Sequence, residues 1–454
     1  MGKLSSSLRR FINPTKVLGL PPPGIYHFTR NEQSEKSRIH LRIESDQHAI
    51  LLINASRIVN LNPTAAFMAY LYLNQFPTDQ ACQAIAHSYK VSKTQAITDY
   101  TQLTAQLAEL VRPNGACPIH ELDLEIFSPF SARPSAPYRM DLALTYRCNN
   151  DCHHCYNERP RSFPELSTQH WQKILDTTWR QGIPHVVFTG GEPTMRTDLP
   201  ALISHAEQNG QITGVNSNGR RFSDKDYVRD LVQAGLDHVQ ITLESHDPTI
   251  HNHMVNAEHA WEQTVAGLRN VLNSPLFVMT NTTLLGQNSP YLNQTLEFLT
   301  ELGVPTVGLN ALIYAGRGLN VGTSIPESEL LPLLELARNH TTSNKQKLIW
   351  YTPTEYCHFD PVQLELGVKG CTAALYNMCV EPNGNVLPCQ SYYTPVGNLL
   401  NDSWENIWNH PLCHSLRERQ LAPEKCRSCA LFTECGGGCP LYNQFTSNSG
   451  GSHD

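Results

Sequence analysis

The chain has 454 residues, enough for two to four domains with full cores, and its 40% hydrophobic and 17% charged content is ordinary for a globular protein. A formal net charge of -7 without any basic stripe argues against a nucleic-acid partner. No run approaches the roughly eighteen apolar residues of a membrane span, and no apolar stretch of a secretion signal follows the first charges. A cytoplasmic location is therefore expected, where the 14 cysteines are thiols and clusters of them point to metal.

In chain order, residues 1–37 read as a loose leader rich in Ser, Pro and charge. "RIHLRIES", "HAILLINAS" and "RIVNL" alternate apolar with polar residues and predict three short strands. Three helices follow. Asn62 with Pro63 is a cap and first-turn pair, Thr78 caps the second helix, and Ser92 with Gln95 forms a capping box for the third. On that last helix Ile97, Tyr100, Leu103, Leu107, Leu110 and Val111 make one buried stripe. Residues 38–112 form this α+β unit, and 113–137 are a linker.

From residue 138 the pattern changes. "MDLALTY", "HVVFTGG", "TGVNSNG", "HVQITLES", "LFVMTNTTLL" and "TVGLNALI" are strand-like, with helical segments between them. Six β-α alternations over 138–350 imply a parallel sheet curled into a partial or complete barrel, whose working face lies at the carboxyl ends of the strands. The unusual residues collect there: three cysteines after the first strand, then "TGGEPT", "NSNG" and "ESHD". Residues 351–370 are an irregular bridge, 371–446 a cysteine-dense segment with a hairpin signal at Asn383-Gly384, and 447–454 a flexible tail. Cys413 reads as a core residue of a short helix.

The first cysteine group is Cys148-x3-Cys152-x2-Cys155. Three thiolates on one loop suit a cubane iron–sulfur cluster with one open iron, and equally a zinc site with a free position or one completed by His153 or His154. This loop resembles the CxxxCxxC loop of radical S-adenosylmethionine (SAM) enzymes, and "TGGEPT" resembles their GGE motif. The resemblance implies that Cys148, Cys152 and Cys155 hold a [4Fe–4S] cluster whose open iron chelates SAM, with Gly190, Gly191 and Glu192 receiving the methionine amino group. By the same likeness Ser217 and Asn218 of "NSNG", with Glu244 and Ser245, contact the ribose and carboxylate. His154 packs near the adenine, and Tyr156 follows the cluster; Asn281 and Arg317 are further candidates. Strand-end capping is the plain alternative for Ser217 and Glu244.

The second group, Cys371-x12-Gly384-x4-Cys389 and then Cys426-x2-Cys429-x5-Cys435-x3-Cys439, resembles the SPASM extension of radical SAM enzymes. That likeness implies auxiliary iron–sulfur clusters, an inner one on Cys371, Cys389 and Cys439 and an outer one on Cys426, Cys429 and Cys435. Cys379 is either the inner cluster's fourth ligand or a buried inert thiol. The family's seventh cysteine is absent after Cys439, leaving His453, Asp454 or an open iron to complete the outer cluster, or no outer cluster at all.

Residues 38–111, through "ILLINASRIVNLNPTAAFM", resemble the winged-helix-like peptide-recognition element of enzymes that modify ribosomally made peptides. This likeness implies a leader peptide added as an extra strand. Together the resemblances imply a peptide maturase that cleaves SAM to a 5′-deoxyadenosyl radical, abstracts hydrogen from a precursor residue, and installs a thioether or carbon–carbon crosslink or an epimerised centre. An electron donor such as flavodoxin or ferredoxin would supply it. Of the bridge residues Tyr351, Glu355, Cys357, His358 and Asp360, expected at the barrel mouth, Cys357 is the candidate catalytic thiol, able to quench a carbon radical. The alternatives are a sulfatase-maturase-like enzyme, one that builds a quinone or tetrapyrrole cofactor, or an iron–sulfur carrier or peptide scaffold without catalysis.

Overall fold

A computed structural model describes residues 19–32, 35–54, 57–111 and 134–448. They fall into two compact units, one drawn from Met1–Ser135 with Trp179–Pro184, the other from Ala136–Thr178 with His185–Asp454.

In the first unit, strands β1 (Gly24–Glu32), β2 (Glu35–Ile43), β3 (Ala49–Ile53) and β4 (Arg57–Leu61) form an antiparallel meander in chain order. Helices α1 (Pro63–Leu73), α2 (Thr78–Tyr89) and α3 (Lys93–Val111) follow. Ile39, Leu41 and Ile43 of β2 alternate into a core shared with Phe67, Leu71, Ile85 and Leu107. Each such side chain contributes about 1.5–3 kcal/mol by leaving water.

Four expectations are corrected here. The leader does not extend to residue 37, because β1 pairs along its full length with β2. Behind the proline run at 21–23, Phe28 is buried and Tyr26 packs on the same core, so the period-two signal is present but short. Thr78 is the first helical residue rather than a cap, with no side-chain hydrogen bond closing that end. Ile97 is exposed, and Ala96 takes its place in the stripe with Tyr100, Leu103, Leu107 and Leu110. Asn62 does cap α1, accepting from the Ala65 N–H. Ser92 accepts from the Gln95 N–H, but Gln95 turns its amide to Asp99 instead of closing the capping box.

The second unit is built on one sheet of ten strands. Strands β5 (Arg139–Thr145), β6 (His185–Gly190), β7 (Ile212–Ser217), β8 (His238–Thr242), β9 (Phe277–Thr283), β10 (Thr306–Asn310) and β11 (Lys347–Trp350) run parallel in chain order. Crossover helices include α4 (Thr168–Arg180), α5 (Leu199–Asn209) and α6 (Lys225–Ala234). Trp171, Ile174 and Leu175 of α4 lie one helical turn apart and are fully buried. The cap of α6 is complete at both ends: the Asp224 carboxylate accepts from the N–H groups of Asp226 and Tyr227, and Gly235 closes it in the left-handed conformation.

All six expected strands form, and β11 adds a seventh at the edge, so the parallel sheet is a partial barrel. On the other edge, β12 (Asn377–Val380) pairs parallel with β5, and β13 (Asn385–Leu387) and β14 (Gly397–Asn398) continue it antiparallel. The cysteine-dense segment therefore shares the barrel's sheet rather than starting a separate one. Its hairpin turns at Gly384, whose φ of +90° suits glycine and whose N–H donates to the Glu381 carbonyl at 2.9 Å. Cys413 is buried on a short helix, Pro411–Arg417, as expected. Cys117, His453 and Asp454 lie outside the described residues.

Candidate radical SAM site

The carboxyl ends of the parallel strands surround a cavity of about 440 Å³. Cys148, Cys152 and Cys155 all line it, on the loop that leaves β5. That loop is held by three arginines. Arg161 donates to the carbonyls of Cys148 (2.7 Å) and Asn150 (2.5 Å), Arg220 to the Asn149 carbonyl (2.5 Å), and Arg317 to the Asp151 carboxylate (2.8 Å). Burial raises the Cys148 thiol to about 11, with Glu192 adding to it, and pushes Cys152 well up, with Cys155 and Cys148 adding to that. A metal cluster bound by these sulfurs as thiolates would displace their protons to solvent and offset the negative charge that burial disfavours.

Neither loop histidine is a convincing fourth ligand. His153 stacks edge-on against His253, ring centroids 5.1 Å apart, and does not line the cavity. His154 is on the wall, but its Nε2 lies 3.0 Å from the Glu244 carboxylate, while its Nδ1 is buried without a hydrogen-bond partner. The donor set fits a cubane with one iron left for another ligand better than a closed zinc site.

The glycine pair is needed where the β6 loop meets the cluster loop. A Cβ on Gly190 would lie 2.1 Å from the Thr145 carbonyl oxygen, and one on Gly191 2.4 Å from that of Arg147. The close approach lets Gly191 N–H donate to Thr145 (2.7 Å) and Glu192 N–H to Arg147 (2.8 Å). Glu192, expected to meet an ammonium, is fully buried and does not line the cavity. Its carboxylate accepts instead from the Thr194 N–H (3.1 Å), the Thr194 hydroxyl (2.7 Å), the Ser217 hydroxyl (2.9 Å) and the Asn218 N–H (2.8 Å). It clamps the ends of β6 and β7 together.

Ser217, Asn218, Glu244 and Tyr156 do line the cavity. Glu244 is buried, and besides His154 it accepts from the Thr283 N–H at 2.8 Å, so its carboxylate is already engaged. Ser245 is corrected: its hydroxyl is buried away from the cavity and accepts from the Asp247 N–H, a turn-capping role. Burial drives the Tyr156 hydroxyl far above its usual range. Asn281 and Arg317 reach the cavity as well.

Asn216, expected as part of "NSNG", lies on the same wall, and so do Gln240, Thr242 and Asn310, polar residues not expected there individually. Their signal was available on and just after β8, where Gln240, Thr242 and Glu244 recur at period two and the alternate residues Val239, Ile241 and Leu243 are core. Gln390, next to Cys389, also lines this cavity.

In the cysteine-dense segment, burial raises the Cys371 thiol, with Cys439 and Cys389 close enough to add to it, and raises Cys389 to about 12, with Cys439 adding. Cys379 is a neighbour of Cys389, but it is buried on β12 among Ala143, Tyr146 and Leu387, the surroundings of a core thiol. Cys426, Cys429 and Cys435 line a second cavity of about 160 Å³, and Cys357 lines it with them. Cys426 is raised to about 11 by burial first, then by Glu355, Cys435 and Cys357. Cys357 is therefore not brought to the large cavity, and neither are Tyr351, Glu355, His358 and Asp360: the bridge folds against the outer cysteines.

Comparison with known proteins bears on both regions. The model of the radical SAM superfamily matches residues 142–299, and that of the SPASM iron–sulfur cluster-binding domain matches residues 371–430. Among solved structures, Streptococcus suis SuiB bound to precursor peptide SuiA superposes with a TM-score of 0.65 at 16% identity, covering 89% of this chain and 94% of that one. SuiB bound to S-adenosylmethionine gives 0.65 at 18% identity, covering 89% and 95%. The protein anSMEcpe with bound AdoMet gives 0.55 at 15% identity, covering 69% of this chain and 97% of that one.

Proposed function

We propose that this chain, an enzyme with a radical SAM domain followed by a SPASM domain, is a maturase that modifies a ribosomally made peptide held through its leader. Three thiols, a glycine pair and the polar tips of successive strands meet in one cavity, and that observation carries the reading. Cys148, Cys152 and Cys155 would hold the SAM-binding [4Fe–4S] cluster, and the cysteine-dense segment the auxiliary clusters. When bound, the reduced cluster and SAM supply a 5′-deoxyadenosyl radical able to take hydrogen from an unactivated C–H bond.

The chain's own residues bind, orient and exclude water. Arg161, Arg220 and Arg317 fix the cluster loop, and the Glu192 clamp fixes the strand ends that face it. Asn216, Gln240, Thr242 and Asn310 offer neutral donors and acceptors to hydroxyl and carboxylate groups without adding charge. Together they position a reagent against a substrate entering at the mouth.

The first unit supports the peptide part. Its sheet ends in β4, which pairs on one side with β3; a leader adding beside β4 would gain a ladder of backbone hydrogen bonds. Ile58 on that strand is 44% exposed and offers an apolar contact. The SuiB likeness spans 89% of this chain and the anSMEcpe likeness only 69%, which favours the leader-bound reading over a sulfatase-maturase-like one. The decisive experiment is product analysis. The reconstituted, reduced chain is incubated with SAM and a precursor peptide encoded beside it, and a mass change in the peptide's core is expected. Modification of a leaderless core equal to that of the full peptide contradicts the leader-bound reading.

A further inference from the structure

We infer that Cys357 is the fourth thiolate of the outer auxiliary cluster, reaching it from the bridge upstream of the cysteine-dense segment. The inference rests on the auxiliary-cluster part of the proposed function.

Sequence spacing supplies three outer cysteines, Cys426, Cys429 and Cys435, and residues 440–454 contain no other. The fold brings Cys357 into the same 160 Å³ cavity from a segment 69 residues before Cys426 in the chain (426 − 357). The register is pinned by the neighbouring residue: the Tyr356 N–H donates to Cys435 Sγ at 3.4 Å. N–H donors to sulfur are among the means by which a protein supports cluster thiolates.

The glycine run between the two cluster groups makes this approach possible. Gly436, Gly437 and Gly438 have φ of +69°, +78° and +73°, a left-handed turn closed to other residues without strain. A Cβ on Gly438 would stand 2.8 Å from Glu355 Cγ. Bare backbone at 436–438 thus lets the bridge lie directly on the turn that separates Cys435 from Cys439.

Two other donors are near. Ligand atoms of Glu355, Cys357 and His358 all lie within 4.8 Å of one another, and Glu355 Oε1 is buried without a hydrogen-bond partner. The soft thiolate is the better iron–sulfur ligand, its proton passing to solvent as the iron–sulfur bond forms. Glu355 then serves behind it: Cys357 Sγ is 3.7 Å and His358 Nε2 3.5 Å from Glu355 Oε2.

The test reads iron rather than turnover. In the full chain with Cys148, Cys152 and Cys155 all replaced by alanine, anaerobic reconstitution should fill only the auxiliary sites, with about eight irons per chain if both are cubanes. Adding Cys357→Ala is expected to remove at least one iron and to bring in the magnetic-resonance signal of an oxidised three-iron cluster. C357S, which keeps an oxygen donor, should recover part of the loss. Iron content and Mössbauer spectrum unchanged by Cys357→Ala would overturn the inference, as would a parent chain that holds about four irons, or loss of the cluster on E355Q but not on C357S. Failure of the proposed function shows itself separately, as absent SAM cleavage by the unmutated chain.

Discussion

Glu192 is a carboxylate at a strand end beside a cluster loop, and its environment decides what it can do. Its two oxygens take four hydrogen bonds from Thr194, Ser217 and Asn218, and it is fully buried. Glu192→Ala should therefore destabilise the chain by about 3 kcal/mol or more even without SAM, because buried donors lose their acceptor. The midpoint of denaturant unfolding measures this; an unchanged midpoint with weakened SAM binding would restore the ligand role. For Gly191→Ala, backbone stands where the new methyl must go, so loss of SAM binding with a cost of about 1–3 kcal/mol is expected, read by titration and the same unfolding curve.

Acid sensitivity also belongs to single residues. His185 and His238 place their Nε2 atoms 2.8 Å apart, so one donates and the other accepts, which requires the accepting ring to be neutral. Burial depresses His238 to about 3 and His251 to about 4. Unfolded histidine takes its proton near pH 6.5, so between there and pH 3–4 the unfolded state binds more protons and stability falls as pH falls. Each unit below about pH 6 should cost up to about 1.4 kcal/mol per histidine. Unfolding at pH 7 and pH 5 should show the loss, and His238→Gln should lessen it; equal slopes in both chains would contradict this.

At the scale of elements, strand identity was legible wherever apolar residues ran together or alternated at period two. All six expected barrel strands form, because each is a run of apolar residues ended by glycine or polar side chains. Strand β1 escaped because only Tyr26 and Phe28 mark its inner face, and β11 because "KLIW" is four residues long. Pairing of β12 with β5 depends on segments more than two hundred residues apart, which no local pattern encodes. The grouping of three cysteines on one loop was readable from spacing, whereas their assignment to a cluster and the role of the glycine pair came from the resemblance to radical SAM enzymes. The true surroundings of Glu192, Ser245 and Cys357 were not, since side-chain direction at a loop depends on tertiary packing.

The edge of the first unit gives an element-scale prediction. Ile58→Asp on β4 places a charge where an added strand would pack, while Val59 and Leu61 keep the core face intact. Leader affinity should fall about tenfold or more, equivalent to about 1.4 kcal/mol, with unfolding unchanged; binding of a fluorescent leader peptide measures it. Unaltered affinity would move the leader away from β4.

At the largest scale, the ten-stranded sheet of the second unit carries both the three-cysteine cavity at its strand ends and, through β12 to β14, the start of the cysteine-dense segment. Gln390 belongs to that segment and still lines the same cavity, so the cysteine-dense segment helps to build its wall. Among the described residues no helix is long and apolar enough to cross a membrane. The central claim is that Cys148, Cys152 and Cys155 seat a cluster whose remaining iron takes SAM. It is tested most directly by reconstituting the full chain without oxygen, reducing it, adding SAM and assaying 5′-deoxyadenosine. The account predicts its formation by the parent chain and its loss when any one of the three cysteines becomes alanine. A filled first cluster that yields none, or zinc held there by a fourth side chain, would contradict it.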